Sequence, residues 1–479
     1  MEHLGRCVYG GIYEPGSTYA DADGFRTDVL ELIRELGTTI VRYPGGNFVS
    51  GYRWEDGVGP VSARPTRLDL AWRTIESNQF GLHEFMKWAA RVEVQPMMAV
   101  NLGTRGIQDA CDLLEYANHP GRSALSDLRA KNGNRDPFGV KLWCLGNEMD
   151  GPWQVGHKDA DVYGVLAAET AKAMRQIDPT IELVVCGSSN ERMPTFGSWE
   201  STVLDHTFEH VDYISLHSYY QPRGGDLSSF LASGHAMDQF IRGVAATADH
   251  IAAKKKSRKR LRLSFDEWNV WYEDRFVGHT QLELAKAPRL LEDEFSGLDA
   301  VVVGSLMMTL LRHADRIGVA CLAQLVNVIA PIRAEPGTPA WRQTIFHPLA
   351  LTARFARGCT LDIRRTSPLL PTTEHGDVPA VDVVGTIEDE SGELTVLAVN
   401  RHLTEATELS VAVRAFPGVR VVDHLELGGT HQLTLANTAV RPNAVMARPD
   451  GDARIVDGTL YAHLQPASWN LVRLTTAVG

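Results

Sequence analysis

Short runs of Val, Ile and Leu recur along the first three quarters of the chain, separated by stretches of helical period. The runs are Thr38–Pro44, Val94–Gly103, Val140–Glu148, Ile181–Ser188, Val211–Tyr219, Leu261–Asn269 and Val319–Asn327. Near-continuous apolar runs of this length predict strands buried on both faces, as in parallel sheets. Between them, Gly24–Leu36, His83–Arg91 and Asp161–Ile177 predict helices. Strands alternating with helices imply βαβ units. Glu2–Tyr9 is expected to form part of a further strand at the start. Eight strands would close a (β/α)8 TIM barrel. A doubly wound open sheet is the rival architecture, but no Gly-rich dinucleotide fingerprint follows any of the strands.

After about Gly358 the period changes. Ala380–Ile387, Leu394–Asn400, Leu409–Arg414 and Trp469–Leu474 alternate apolar and polar residues with turn residues between them. Period two without intervening helices predicts an antiparallel β-sandwich. The expected division is therefore a catalytic barrel over 1–357 and a C-terminal β-sandwich over 358–479. Two longer apolar runs, Ala300–Leu311 and Ile317–Ile332, fall short of a bilayer span and read as buried core.

Composition narrows the function classes. Hydrophobic residues are 44% and charged residues 22%, ordinary for a globular chain. The net charge of −12 leaves no Lys/Arg excess for neutralising phosphates, so no nucleic-acid partner is expected. The basic run Lys254–Arg260 precedes a predicted strand and reads as a solvated loop. The six cysteines lack CxxC spacing, and the start MEHLGRCVYGG has no apolar signal region. Both features suggest a reducing, cytoplasmic setting with no membrane contact. HExxH, Walker and GxSxG motifs are absent, and the histidines show no metal-ligand spacing.

Candidate chemistry lies at the strand ends. The predicted strands have apolar bodies and end in Arg42, Asn101, Asn147–Glu148, Ser188–Asn190, His217–Tyr219, Asp266–Asn269 and Gln324–Asn327. Barrel active sites lie at the C-terminal ends of strands. Glu148 and Glu267 place carboxylates in otherwise apolar strands. Buried carboxylates are costly unless paired or functional. Two facing one pocket meet the requirement of glycoside hydrolysis for an acid/base and a nucleophile or base. Successive strand residues face opposite sides, so only one of Asp266 and Glu267 can point into the pocket; Glu267 is favoured, with Asp266 supporting the site from behind or serving the structure. Trp54, Trp72, Trp153, Trp268 and Trp271, in or beside the predicted loops, could stack on sugar rings.

The segments EHLGRCVYGGIYEPGS, VRYPGGNFVSGYRWEDGVGP, WCLGNEMDGPWQVGHK, DYISLHSYY and LSFDEWNVWY together resemble the intracellular α-L-arabinofuranosidases of glycoside hydrolase family 51. The resemblance runs in order to the terminal SWNLVRL. It implies a (β/α)8 barrel with a C-terminal sandwich, retention of configuration, no metal or cofactor, and a homohexamer. It places the acid/base on Glu148 and the nucleophile on Glu267. Asn147 would bond the sugar 2-hydroxyl, and Tyr219 would hold the nucleophile. Glu2, Arg42, Asn47, His217 and Gln324 would bind the sugar, with Trp72 at the neighbouring subsite. The implied reaction removes terminal α-L-arabinofuranosyl residues from arabinan, arabinoxylan or their oligosaccharides. Alternatives are a β-xylosidase or endoglucanase on the same barrel, or a sugar-binding relative that has lost catalysis. The family usually carries a β-rich segment before EHLGR. A natural start roughly 25–30 residues upstream is therefore expected, with Glu2 otherwise held on a frayed end.

Overall fold

The structure is a computed structural model that describes residues 1–276, 278 and 284–476. Seven parallel strands form the N-terminal sheet in sequence order: β1 (Ile40–Tyr43), β2 (Gln95–Ala99), β3 (Leu142–Leu145), β4 (Glu182–Val185), β5 (Tyr213–Tyr220), β6 (Arg262–Val270) and β7 (Ile317–Leu322). Each of the seven predicted apolar runs contains one of them or overlaps it. Helices Thr27–Leu36, Leu82–Val92 and Ala160–Ile177 match the three predicted ones within three residues at either end. The first turns one apolar face inward, burying Val29, Leu30, Leu32, Ile33 and Leu36. It ends at Gly37, whose φ of 74° gives the left-handed cap that glycine favours.

The expected eighth strand does not form. Residues 1–8 run as turns rather than as a ladder. Two side-chain anchors explain why. Arg6 is engaged by Glu292 and Glu335, while Asn327 donates to the carbonyls of Arg6 and Gly10. The segment thus lies across the C-terminal end of the sheet, where Gly45 N–H bonds to the Met1 carbonyl. Glu2 is accordingly buried and its carboxyl held by three hydrogen bonds, not frayed. The sheet is a nearly closed barrel. Beside β1 and β7 lies an apolar cavity of about 410 Å³, lined by Val41, Val319, Leu310 and Leu349 among others.

Beyond the helix Phe346–Phe355 the chain is antiparallel. One sheet orders Cys359–Leu361, Val381–Glu388, Glu393–Asn400, Ser468–Thr475 and Arg420–Gly428. A second orders Thr407–Ala412, Thr459–Leu464 and Arg454–Val456. Val383, Val396, Leu460 and Val472 form part of one apolar cluster drawn from both sheets. The helix Gly297–Arg312 is buried on nearly every side because it lies between sheet and sandwich. A Cβ on its Gly304 would come within 2.4 Å of the Trp469 ring, so only glycine allows that approach. This helix accounts for the apolar run Ala300–Leu311. Among the described residues no helix is long and apolar enough to cross a membrane.

The basic run lies at the opposite end of the barrel from the strand tips. Lys254 pairs with Asp205 and Arg260 with Asp315.

Candidate active site

A cavity of about 270 Å³ opens at the C-terminal ends of the barrel strands. Glu2, Asn47, Trp72, Glu148, Tyr219, Glu267 and Gln324, all read from the sequence as site residues, line it. Arg42, Asn147 and His217 lie beneath that lining, each no more than 3% exposed. The two glutamates come together as expected. One oxygen of each, with a His217 nitrogen, lies within 4.8 Å of the others.

Glu148 follows β3 through Gly146 (φ 94°) and itself has a φ of 44°. A non-glycine residue in this region stores strain of about 1–3 kcal/mol, tolerated where the surroundings over-determine it. Here Glu148 Oε1 is 2.9 Å from His217 Nδ1, and Oε2 accepts from Trp153 Nε1 at 2.8 Å. Glu267 Oε2 accepts from Tyr219 Oη at 2.7 Å and Oε1 from Arg42 Nη2 at 3.0 Å. Trp271 packs edge-on to Tyr219 with centroids 5.3 Å apart. Arg42 also donates from both terminal nitrogens to Asn147 Oδ1.

Glu2 closes another side. Its Oε1 accepts from Trp72 Nε1 and the Phe48 amide, and its Oε2 from Gln324 Nε2. Burial, and then the charge on Glu267, push the Glu2 carboxyl up to about 8, against the hydrogen bonds from Trp72 and Phe48 that lower it. Gly46, at φ 60°, must be glycine, since a Cβ there would lie 2.0 Å from Glu2 Oε2.

Asp266 stays out of the cavity lining, as expected, yet strict alternation fails, because it does not turn to the far side of the strand: its Oδ1 is 3.1 Å from His217 Nε2, and its Oδ2 is 3.5 Å from Arg42 Nε. The reason is a bulge in β6. Against β5, Ser215 pairs with Ser264 and His217 with Glu267, so Leu216 alone faces Phe265 and Asp266. Against β7, Phe265 pairs with Ala320 and Trp268 with Leu322, so Cys321 alone faces Asp266 and Glu267. A bulge breaks strict alternation and re-aims side chains. Here it turns two consecutive carboxylates toward one site. Burial raises the Asp266 carboxyl, but the charges of Arg42 and His217 outweigh it and hold it below the ordinary range.

The tryptophans divide. Trp72, Trp153 and Trp271 line the cavity. Trp54 packs on Tyr116, and Trp268 is buried beneath the site. Several polar strand ends are structural: Asn101 caps its own loop, and Asn269 bonds the Ala323 carbonyl. Leu291, Ile329 and Phe276 line the cavity as well, with no polar signature to mark them in the sequence. Glu148, His217 and Glu267 could together offer three ligand atoms to a metal, a grouping that sequence spacing does not reveal. The Arg42 guanidinium 3.0 Å from Glu267 competes for that place.

Residues 32–240 match the family model "Alpha-L-arabinofuranosidase 1 domain", and residues 266–468 match "Alpha-L-arabinofuranosidase C-terminal domain". The chain is 56% identical to an intracellular exo-α-(1→5)-L-arabinofuranosidase of Streptomyces lividans, over 99% of this chain and 72% of that one. It is 52% identical to an enzyme of the same description from Halalkalibacterium halodurans, over 99% and 94%. Among solved structures, the family 51 α-L-arabinofuranosidase AbfB from Bifidobacterium longum superposes with a TM-score of 0.94 at 46% identity, covering 98% of this chain and 94% of that one. The α-L-arabinofuranosidase of Thermotoga maritima, solved with arabinose, gives 0.87 at 30% identity, covering 98% and 94%. With a barrel whose strand tips carry paired glutamates, and with this degree of identity along its length, the chain belongs to the α-L-arabinofuranosidases of glycoside hydrolase family 51.

Proposed function

We propose that this chain removes terminal non-reducing α-L-arabinofuranosyl residues from arabinose-containing oligosaccharides or polysaccharides by double displacement. The observation that carries the reading is the approach of the Glu148 and Glu267 carboxylates to within 4.8 Å in one cavity. Retaining glycosidases hold their carboxyl groups about 5–5.5 Å apart, whereas inverting ones need roughly 6.5–9.5 Å to admit a water. In this reading Glu267, oriented by Tyr219 and Arg42, attacks the anomeric carbon. Glu148, in its protonated form, gives its proton to the departing oxygen as the glycosidic bond breaks. It then takes a proton from the water that releases the sugar from Glu267. Glu2, Asn47, Asn147, Gln324 and Trp72 are proposed to hold the sugar, with Arg42 and His217 acting beneath it.

The proposal extends to a barrel and sandwich divided near residues 357/358, a homohexamer and an intracellular setting. The last two rest on the family resemblance, on relatives described as intracellular, and on six free cysteines. Light scattering reads the subunit number directly, and a mass other than that of a hexamer would refute that part.

A panel of nitrophenyl glycosides tests the activity. Release from the α-L-arabinofuranoside should exceed that from the β-xyloside or β-glucoside by about a hundredfold or more, as expected of a site built to hydrogen-bond its own sugar. Preference for a xyloside, or binding without turnover, would overturn the reading.

A further inference from the structure

Asp266 lies beneath the cavity and touches neither glutamate, yet it holds both of the cations that do. Its Oδ2 is 3.5 Å from Arg42 Nε and accepts from Cys144 Sγ at 3.6 Å. Its Oδ1 is 3.1 Å from His217 Nε2. The other ring nitrogen, Nδ1, is 2.9 Å from Glu148 Oε1 and 3.6 Å from Glu267 Oε2, while Arg42 Nη2 lies 3.3 Å from Nε2. These are the charged groups around the ring, which is 2% exposed. Facing the Asp266 carboxylate at one nitrogen and the Oε1 of Glu148, whose proton belongs on Oε2, at the other, the imidazole satisfies both by donating from both.

We propose that Asp266 is a positioning residue for the acid/base. By anchoring His217 Nε2–H it keeps Nδ1–H aimed at Glu148 Oε1, which confines the transferable proton to Oε2. Oε2 is the oxygen that Trp153, itself a cavity-lining residue, reaches at 2.8 Å. His217 neither gains nor loses a proton over the cycle. The proton that leaves Oε2 for the departing oxygen is replaced from the attacking water. The raised basicity of His217 agrees: burial lowers it, but Glu267, Asp266 and Glu148 outweigh burial and bring it to about 10.

The inference rests on the proposed arabinofuranosidase reaction, and the test separates the two. Asp266→Asn keeps the side-chain volume and removes the anchor's charge. Its kcat/KM is compared with that of the unmodified chain on phenyl and dinitrophenyl α-L-arabinofuranosides. The phenyl leaving group needs a proton and the dinitrophenyl group does not. The phenyl substrate should lose about a hundredfold, within the range that general acids contribute, and the dinitrophenyl substrate about tenfold less than that, the loss common to both reporting on Arg42 and Glu267. Equal losses on both, or none on either, overturn the inference. If the unmodified chain cleaves neither substrate, it is the reaction that fails. Should the variant not fold, histidine labelled with nitrogen-15 in the unmodified chain decides. Both His217 ring protons should persist well above the ordinary histidine value of about 6.5, and a ring titrating near that value overturns the inference.

Discussion

At the scale of the residue, the site is an arrangement of charges that offset one another's burial. Glu267 is taken out of water but receives a guanidinium and a phenol. Glu148 receives an imidazole and an indole. A hydrogen bond to a charged group is worth about 1.5–3 kcal/mol. The Tyr219 hydroxyl meets the oxygen of Glu267 opposite the one that Arg42 holds, so its loss leaves the carboxylate free to turn. Tyr219→Phe should lower kcat by about 10- to 100-fold with little change in KM. Steady-state kinetics on a nitrophenyl arabinofuranoside would show it. A rise in KM alone would assign Tyr219 to sugar binding instead. The carboxylates were legible in the sequence because each interrupts an apolar strand. The direction of Asp266 was not, because it depends on a bulge fixed by pairing with two strands that lie far away in the chain.

At the scale of the element, the buried helix Gly297–Arg312 joins barrel to sandwich, and one carboxylate fastens it. Asp382, on the sandwich strand Val381–Glu388, accepts from Arg312 of that helix at 2.6 Å and from Arg401 at 2.8 Å, and it also pairs with Arg365. Burial raises its carboxyl, but the three guanidinium charges prevail and hold it far below the ordinary range. Asp382→Asn leaves the buried Arg401 without its anion and should cost about 3–5 kcal/mol, read by denaturant unfolding. The pH sign follows from the lowered value. The contribution is fully present above the ordinary aspartate value of about 3.9 and is lost only as pH falls through the lower folded value. Wild type and variant should therefore differ by a constant amount from pH 7 down to about 5, converging only in stronger acid. A gap that closes near neutrality would contradict this. The period-two pattern revealed Val381–Glu388, Glu393–Asn400, Thr407–Ala412 and Ser468–Thr475, but neither Thr459–Leu464 inside the second sheet nor Arg420–Gly428, six of whose nine residues are partly or fully exposed and whose register shifts between Val421 and Asp423.

At the scale of the whole molecule, seven strands were legible because parallel strands are buried on both faces and so read as unbroken apolar runs. The course of residues 1–8 was not, since Arg6 and Asn327 fix it through contacts more than three hundred residues apart in sequence. That course brings Glu2 to the strand tips, where it meets Trp72 and Gln324 beside the paired glutamates. The assembled site makes one central claim: Glu267 bonds covalently to the sugar and Glu148 manages the proton. Glu148→Ala, given a dinitrophenyl α-L-arabinofuranoside, should complete the first displacement and stall before the second. Intact-protein mass spectrometry followed by peptide mapping should find a pentosyl group on the peptide carrying Glu267, and azide should discharge it with recovery of turnover. An adduct on any other residue, or no adduct while the substrate is consumed at the unmodified rate, would contradict the account.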